Sequence, residues 1–138
     1  MPIFAPRKEL GVQSFILKLL NNNCSELQAL VEGPRLEHRA NLTVAVLVIP
    51  IEKGRPVLAQ RFSAVTKEIA TAGLSLVLDE PKGPDEVVLC FRWESTMHFI
   101  RARAMHLSPM GAGFYQLGLR MTELLHVADY PELRSVRF

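Results

Sequence analysis

Two arginines stand four residues apart, Arg35 and Arg39, in the segment Gly33-Pro34-Arg35-Leu36-Glu37-His38-Arg39. A guanidinium presents planar, forked donors that match phosphate oxygens and the O6/N7 edge of guanine, and it stacks on a purine face. A second cluster, Glu68-Ile69-Ala70-Thr71-Ala72-Gly73-Leu74, sets an acid, a small residue and a glycine at close spacing. Other chemistry is thin. The histidines His38, His98, His106 and His126 are scattered. His98 and His106 fall in one extended run, so they stand roughly 26 Å apart and cannot ligate one metal. Cys24 and Cys90 form no CxxC pair and no Cys/His cluster, and they read as small buried hydrophobes. There is no P-loop, GxGxxG, GxSxG or HExxH, so nothing in the sequence supports an enzyme.

The 138 residues make room for one domain. With 49% hydrophobic and 22% charged residues, the composition is that of a globular chain, not a disordered or disulfide-dense one. The net charge of +2 is too small to imply a nucleic-acid polymer or a membrane partner. The longest apolar stretch, around Val44 to Ile49, is far short of a membrane span. The first residues lack the basic head and apolar core of a secretory signal, so the expected location is cytoplasmic.

The elements that must position the two clusters follow from periodicity. Leu10, Phe15, Ile16, Leu19 and Leu20 recur at helical spacing. Asn23-Cys24-Ser25-Glu26 then caps a second helical pattern, which Gly33-Pro34 stops. From residue 40 the texture turns to β. Six strands are expected, over Asn41–Ile49 (closed by Pro50), Val57–Ile69, Gly73–Leu78, Val87–Trp93, Met97–Leu107 and Phe114–Met121. In the fifth, Phe99, Arg101, Arg103 and Met105 face one way and Ile100, Ala102 and Ala104 the other. Short strands joined by turns argue for an antiparallel barrel or sandwich, and a barrel leaves no open edge. Pro131 starts a short C-terminal helix carrying Leu133 and Val136. The chain divides into an N-terminal helical segment (1–32), a β-barrel domain (33–125) and a C-terminal tail or short helix (126–138).

The two clusters together resemble the PilZ family of bacterial cyclic di-GMP receptors. That family carries RxxxR ahead of the first strand and (D/N)xSxxG where the second strand meets the third. Arg35 and Arg39 match the first motif; Glu68, Ala70 and Gly73 fall at the Asp/Asn, Ser and Gly positions of the second. The run Gly113-Phe114-Tyr115-Gln116-Leu117-Gly118-Leu119 is similar to the family's closing strand. The resemblance covers roughly residues 33 to 125. It implies a mainly β fold, a six-stranded antiparallel PilZ-like barrel, with cyclic di-GMP as ligand and no further cofactor or metal. Arg35, Arg39, Glu68, Ala70 and Gly73 are the implied ligand-binding residues. The glycine would supply a backbone approach that a side chain would block.

Two departures bear on the ligand. Ala70 has no hydroxyl, a loss of roughly 0.5–1.5 kcal/mol for one hydrogen bond. Glu68 is one methylene longer than Asp, so its carboxylate must be placed differently. The implied function is a receptor or effector domain that changes conformation on binding and signals to a protein partner. The alternative is a degenerate PilZ-like barrel that binds no nucleotide and serves as a protein–protein interaction module. The amphipathic N-terminal segment is expected to pack on the barrel or on a second copy of the chain, giving a homodimer.

Overall fold

The structure, a computed structural model, describes residues 39–136 apart from 41–42, 71 and 94. The two expected N-terminal helices, Arg35 and Cys24 lie outside the described residues.

The described residues form eight strands: β1 Arg39–Ala40, β2 Ala45–Glu52, β3 Arg55–Pro56, β4 Phe62–Ala70, β5 Gly73–Leu78, β6 Glu86–Trp93, β7 Thr96–Gly111 and β8 Phe114–Leu125. All pairings are antiparallel. The sheet order is β1-β4-β5-β8-β7-β6-β2-β3, and an additional β4–β2 pairing closes six of these strands into a ring. Short 3₁₀ turns lie at Leu58–Gln60 and Pro131–Ser135. The described residues contain no α-helix.

The six expected strands correspond to the six of the ring, with shifted ends. Pro50 does not close β2, which runs on to Glu52. The Pro50 carbonyl accepts the Val57 N–H at 2.9 Å, while its Cα is in register with Val87. The side on which proline lacks a donor is therefore the β3 turn side, and the β6 ladder loses nothing. The fifth and sixth strands are longer than expected. Pro109 to Gly111 belong to β7, and only Ala112 and Gly113 turn the chain, with φ of 55° and 82°. Arg39, expected in a loop, lies in the short strand β1.

The inside of the ring holds one apolar cluster, built on Val46, Val48, Ile69, Leu76, Leu89, Phe91, Ile100, Leu117 and Met121. A second cluster lies outside it. Leu47, Ile49, Val88, Cys90, Phe99 and Leu125 are covered there by Leu133 and Val136 of the C-terminal turn. This is why Val46–Ile49 and Val87–Phe91 read as unbroken apolar runs: these parts of β2 and β6 are buried on both faces. Arg55 fastens the turn from the β3 side. Its guanidinium donates to both Glu132 carboxylate oxygens, at 2.8 and 2.6 Å, and lies 5.0 Å from the centre of the Tyr130 ring. Within the described residues, no helix is long and apolar enough to cross a membrane.

Candidate functional site

Strand alternation alone would place Glu68 and Ala70 inside the ring, in phase with Phe62, Ala64 and Thr66. A bulge reverses the phase. The β4–β5 register passes from Thr66↔Leu76 to Glu68↔Ser75, leaving Lys67 as the extra residue. Beyond it Ile69 turns inward and is fully buried, while Glu68 and Ala70 come to the outer face half-buried.

A second bulge acts on β7. Ile100, Ala102 and Ala104 point inward, and the same alternation would carry His106 in with them. The register steps from Ala104↔Leu119 to His106↔Gly118, with Met105 extra. His106 is thereby paired with Gly118, which lies between the inward-facing Leu117 and Leu119. The result is one row across four neighbouring strands of the outer face: Glu68 on β4, Ser75 on β5, Gly118 on β8 and His106 on β7.

This row is the floor of an open cavity of about 310 Å³. Glu68, Ala70 and Gly73 line it together, and so do Ser75, Met105, His106, Gln116 and Gly118. Its volume lies at the small end of the range for ligand pockets. Lys67 borders the cavity, donating from Nζ to Gln116 Oε1 at 3.2 Å.

Of the residues expected in the site, Arg35 lies outside the described residues, and the structure places the other four. Glu68, Ala70 and Gly73 share the one cavity. Arg39 is placed by its backbone: β1 pairs with the end of β4 in the register Arg39↔Ala70 and Ala40↔Ile69. The RxxxR segment thus ends against the second motif, one strand spacing away. Thr66 ties the chain just ahead of β2 to β4. Its buried hydroxyl accepts the Val44 N–H at 2.8 Å, and its own N–H donates to the Val44 carbonyl at 3.0 Å. Gly73 is needed for proximity: a Cβ on it would lie 2.9 Å from the Leu119 carbonyl oxygen.

Ser75, His106, Gln116 and Gly118 were not expected in the site. For Gly118 a signal existed, since a glycine inside a strand marks close approach by a neighbour. Here the neighbour is the His106 imidazole: a Cβ at position 118 would meet Cε1 at 2.5 Å, Nε2 at 2.9 Å and Nδ1 at 3.0 Å.

No protein-family model matches the chain, and no curated protein sequence is significantly similar to it. Solved structures match at low sequence identity. The Bacillus subtilis inhibitor of motility (MotI/DgrA) aligns over 73% of this chain and 48% of its own, with a TM-score of 0.51 and 15% identity. This chain therefore spans about half the length of that protein. The PilZ domain of CeSA from a cellulose-synthesizing bacterium aligns over 62% of this chain and 80% of its own, with a TM-score of 0.46 and 18% identity. The K. pneumonia MrkH–c-di-GMP complex aligns over 70% and 47%, with a TM-score of 0.46 and 16% identity.

Proposed function

We propose that this chain is a PilZ-like receptor for cyclic di-GMP, with Arg35, Arg39, Glu68, Ala70 and Gly73 around the ligand. One observation carries the reading: the Arg39 backbone stands in register with Ala70 at the rim of the cavity that Glu68, Ala70 and Gly73 line. A pair of arginines four residues apart in sequence suits a ligand with two phosphates and two guanines. The closed ring of strands is the wall against which such a ligand would be held.

On this reading the chain is a binding domain of the bacterial cytoplasm and not an enzyme. Ligand capture by the arginine segment alters the surface beside β1 and β4, and a protein partner or a second copy reads the change. The N-terminal segment 1–32 is the element proposed to carry that contact.

The test is a calorimetric titration of the purified protein with cyclic di-GMP, alongside Arg35→Ala and Arg39→Ala. Saturable binding that both substitutions abolish is the expected result. Flat heats up to millimolar ligand from a folded protein would overturn the receptor reading. One feature favours the alternative, a ring kept only for protein contacts: Ala70 brings no hydroxyl to the cavity.

A further inference from the structure

The cavity holds a hydroxyl, though not where the motif would put it. Ser75 lies on β5 between inward-facing Leu74 and Leu76, and so belongs to the outer face. An outward serine on a strand is ordinarily solvated. This one is only 7% exposed, and its Oγ is buried without a hydrogen-bond partner among the described residues. It is the one buried side-chain polar atom there in that condition. Buried polar groups in folded proteins nearly always have a partner, and an exception among the described residues calls for a partner from outside them.

The surroundings say where that partner would come from. Ser75 lines the same cavity as Glu68, Ala70 and Gly73. It is directly opposite Glu68 and therefore diagonal to Ala70, roughly 7–8 Å away across the β4–β5 ladder. On its other side stands Gly118, and over Gly118 lies the His106 imidazole. The absence of a side chain at 118 leaves His106 and Ser75 as the two polar groups flanking that point of the floor.

Building on the receptor reading above, we propose that Ser75 and His106 are ligand-contacting residues of this cavity. Ser75 Oγ supplies the hydroxyl that Ala70 lacks, donating to a phosphate oxygen of the ligand. The His106 imidazole forms the facing wall and offers a ring N–H to the same anionic group. The site thus keeps the hydrogen-bonding chemistry of its motif while moving the donor from β4 to β5.

The test compares wild type, Ser75→Ala, His106→Ala and the double variant Ala70→Ser/Ser75→Ala by calorimetric titration with cyclic di-GMP, and by melting of the ligand-free proteins. Ser75→Ala is expected to weaken binding about tenfold, the worth of one good hydrogen bond, without lowering the ligand-free melting temperature. His106→Ala is expected to weaken binding by at least a few-fold. Ala70→Ser is expected to restore most of what Ser75→Ala loses. Wild-type affinity in both single variants, a lowered ligand-free melting temperature that accounts for the loss, or no rescue by Ala70→Ser would overturn this proposal and leave the receptor reading standing. A wild-type protein that binds no cyclic di-GMP would overturn both.

Discussion

A Cβ on Gly73 would sit 2.9 Å from the carbonyl oxygen of Leu119, closer than real Cβ contacts come. The obstacle is backbone on a paired strand, which cannot turn aside as a side chain can. Gly73→Ala should therefore push β5 off β8 and destabilise the protein by roughly 1–3 kcal/mol, the range for overpacking. Urea denaturation measures this directly. A variant as stable as wild type would show that β5 has room to spare at its start.

Gly118 makes an instructive contrast. The three atoms nearest its added Cβ all belong to the His106 ring, an exposed side chain rather than backbone. Gly118→Ala should leave stability within about 1 kcal/mol of wild type, because no backbone needs to move. It should still displace the imidazole from the cavity floor, visible as changed His106 ring resonances in NMR spectra. Unchanged resonances would mean that the ring does not rest on residue 118 in solution.

Thr66 joins the chain ahead of β2 to β4. Thr66→Val keeps the shape but removes the acceptor of the Val44 N–H. Leaving that partly buried donor unpaired should lower stability by roughly 1–3 kcal/mol. The same variant should weaken ligand binding, since the segment it anchors leads back to Arg39. A drop in stability with no change in affinity would separate the two roles.

The Glu86 carboxyl is held below the ordinary glutamate value of 4.5, first by hydrogen bonds from Arg101, with the charges of Arg101 and Arg103 adding to it and burial opposing. A carboxyl whose folded pKa lies below its unfolded one contributes stability that is complete above the unfolded value. That contribution is lost as the pH falls through the folded value. Glu86→Gln should accordingly flatten the decline in stability below pH 4.5 and lower stability near neutrality. Chemical denaturation across an acid pH series reads this, and parallel curves for the two proteins would remove Glu86 from the acid response.

Burial pushes the Cys90 thiol up to about 12 and leaves no part of the residue exposed. In a Cys24→Ser background, the remaining thiol should resist iodoacetamide at pH 8 and react promptly once urea unfolds the chain, because the thiolate is the nucleophile. Rapid alkylation of the folded protein would mean that the C-terminal turn opens readily over β6.

Most of the ring was legible in the sequence. Gly73–Leu78 matches the expected strand end for end, and Val87–Trp93 differs by the single residue Glu86. Leu133 and Val136, expected on a short C-terminal helix, are buried as the cover of the outer apolar cluster. The cavity was only half legible, and the reason is local. Lys67 and Met105 each add one residue to their strand, and neither has the glycine or proline that announces a bulge. Period-two reading sends His106 inward with Ala104, whereas the bulge at Met105 sends it outward. Ser75 is illegible in the sequence for a different reason: an outward serine looks ordinary until its neighbours are known.

Closure of the ring also governs how the molecule opens. β2 is hydrogen-bonded to β4 on one side and β6 on the other, and β8 to β5 and β7. No ring strand is a free edge, so none can peel away without breaking two ladders at once. The β2–β6 contacts join residues far apart in the chain, as in Leu47 with Cys90, which favours slow, all-or-none folding. Amide protons in the middle of β2 and β8 should consequently exchange with solvent only through global unfolding. Among the described residues, the two-residue strand β1 has a single partner, and it lies outside this cycle. Its pairing with β4 can break without costing the ring a ladder, so the Arg39–Ala70 register is the one part of the candidate site that closure does not lock.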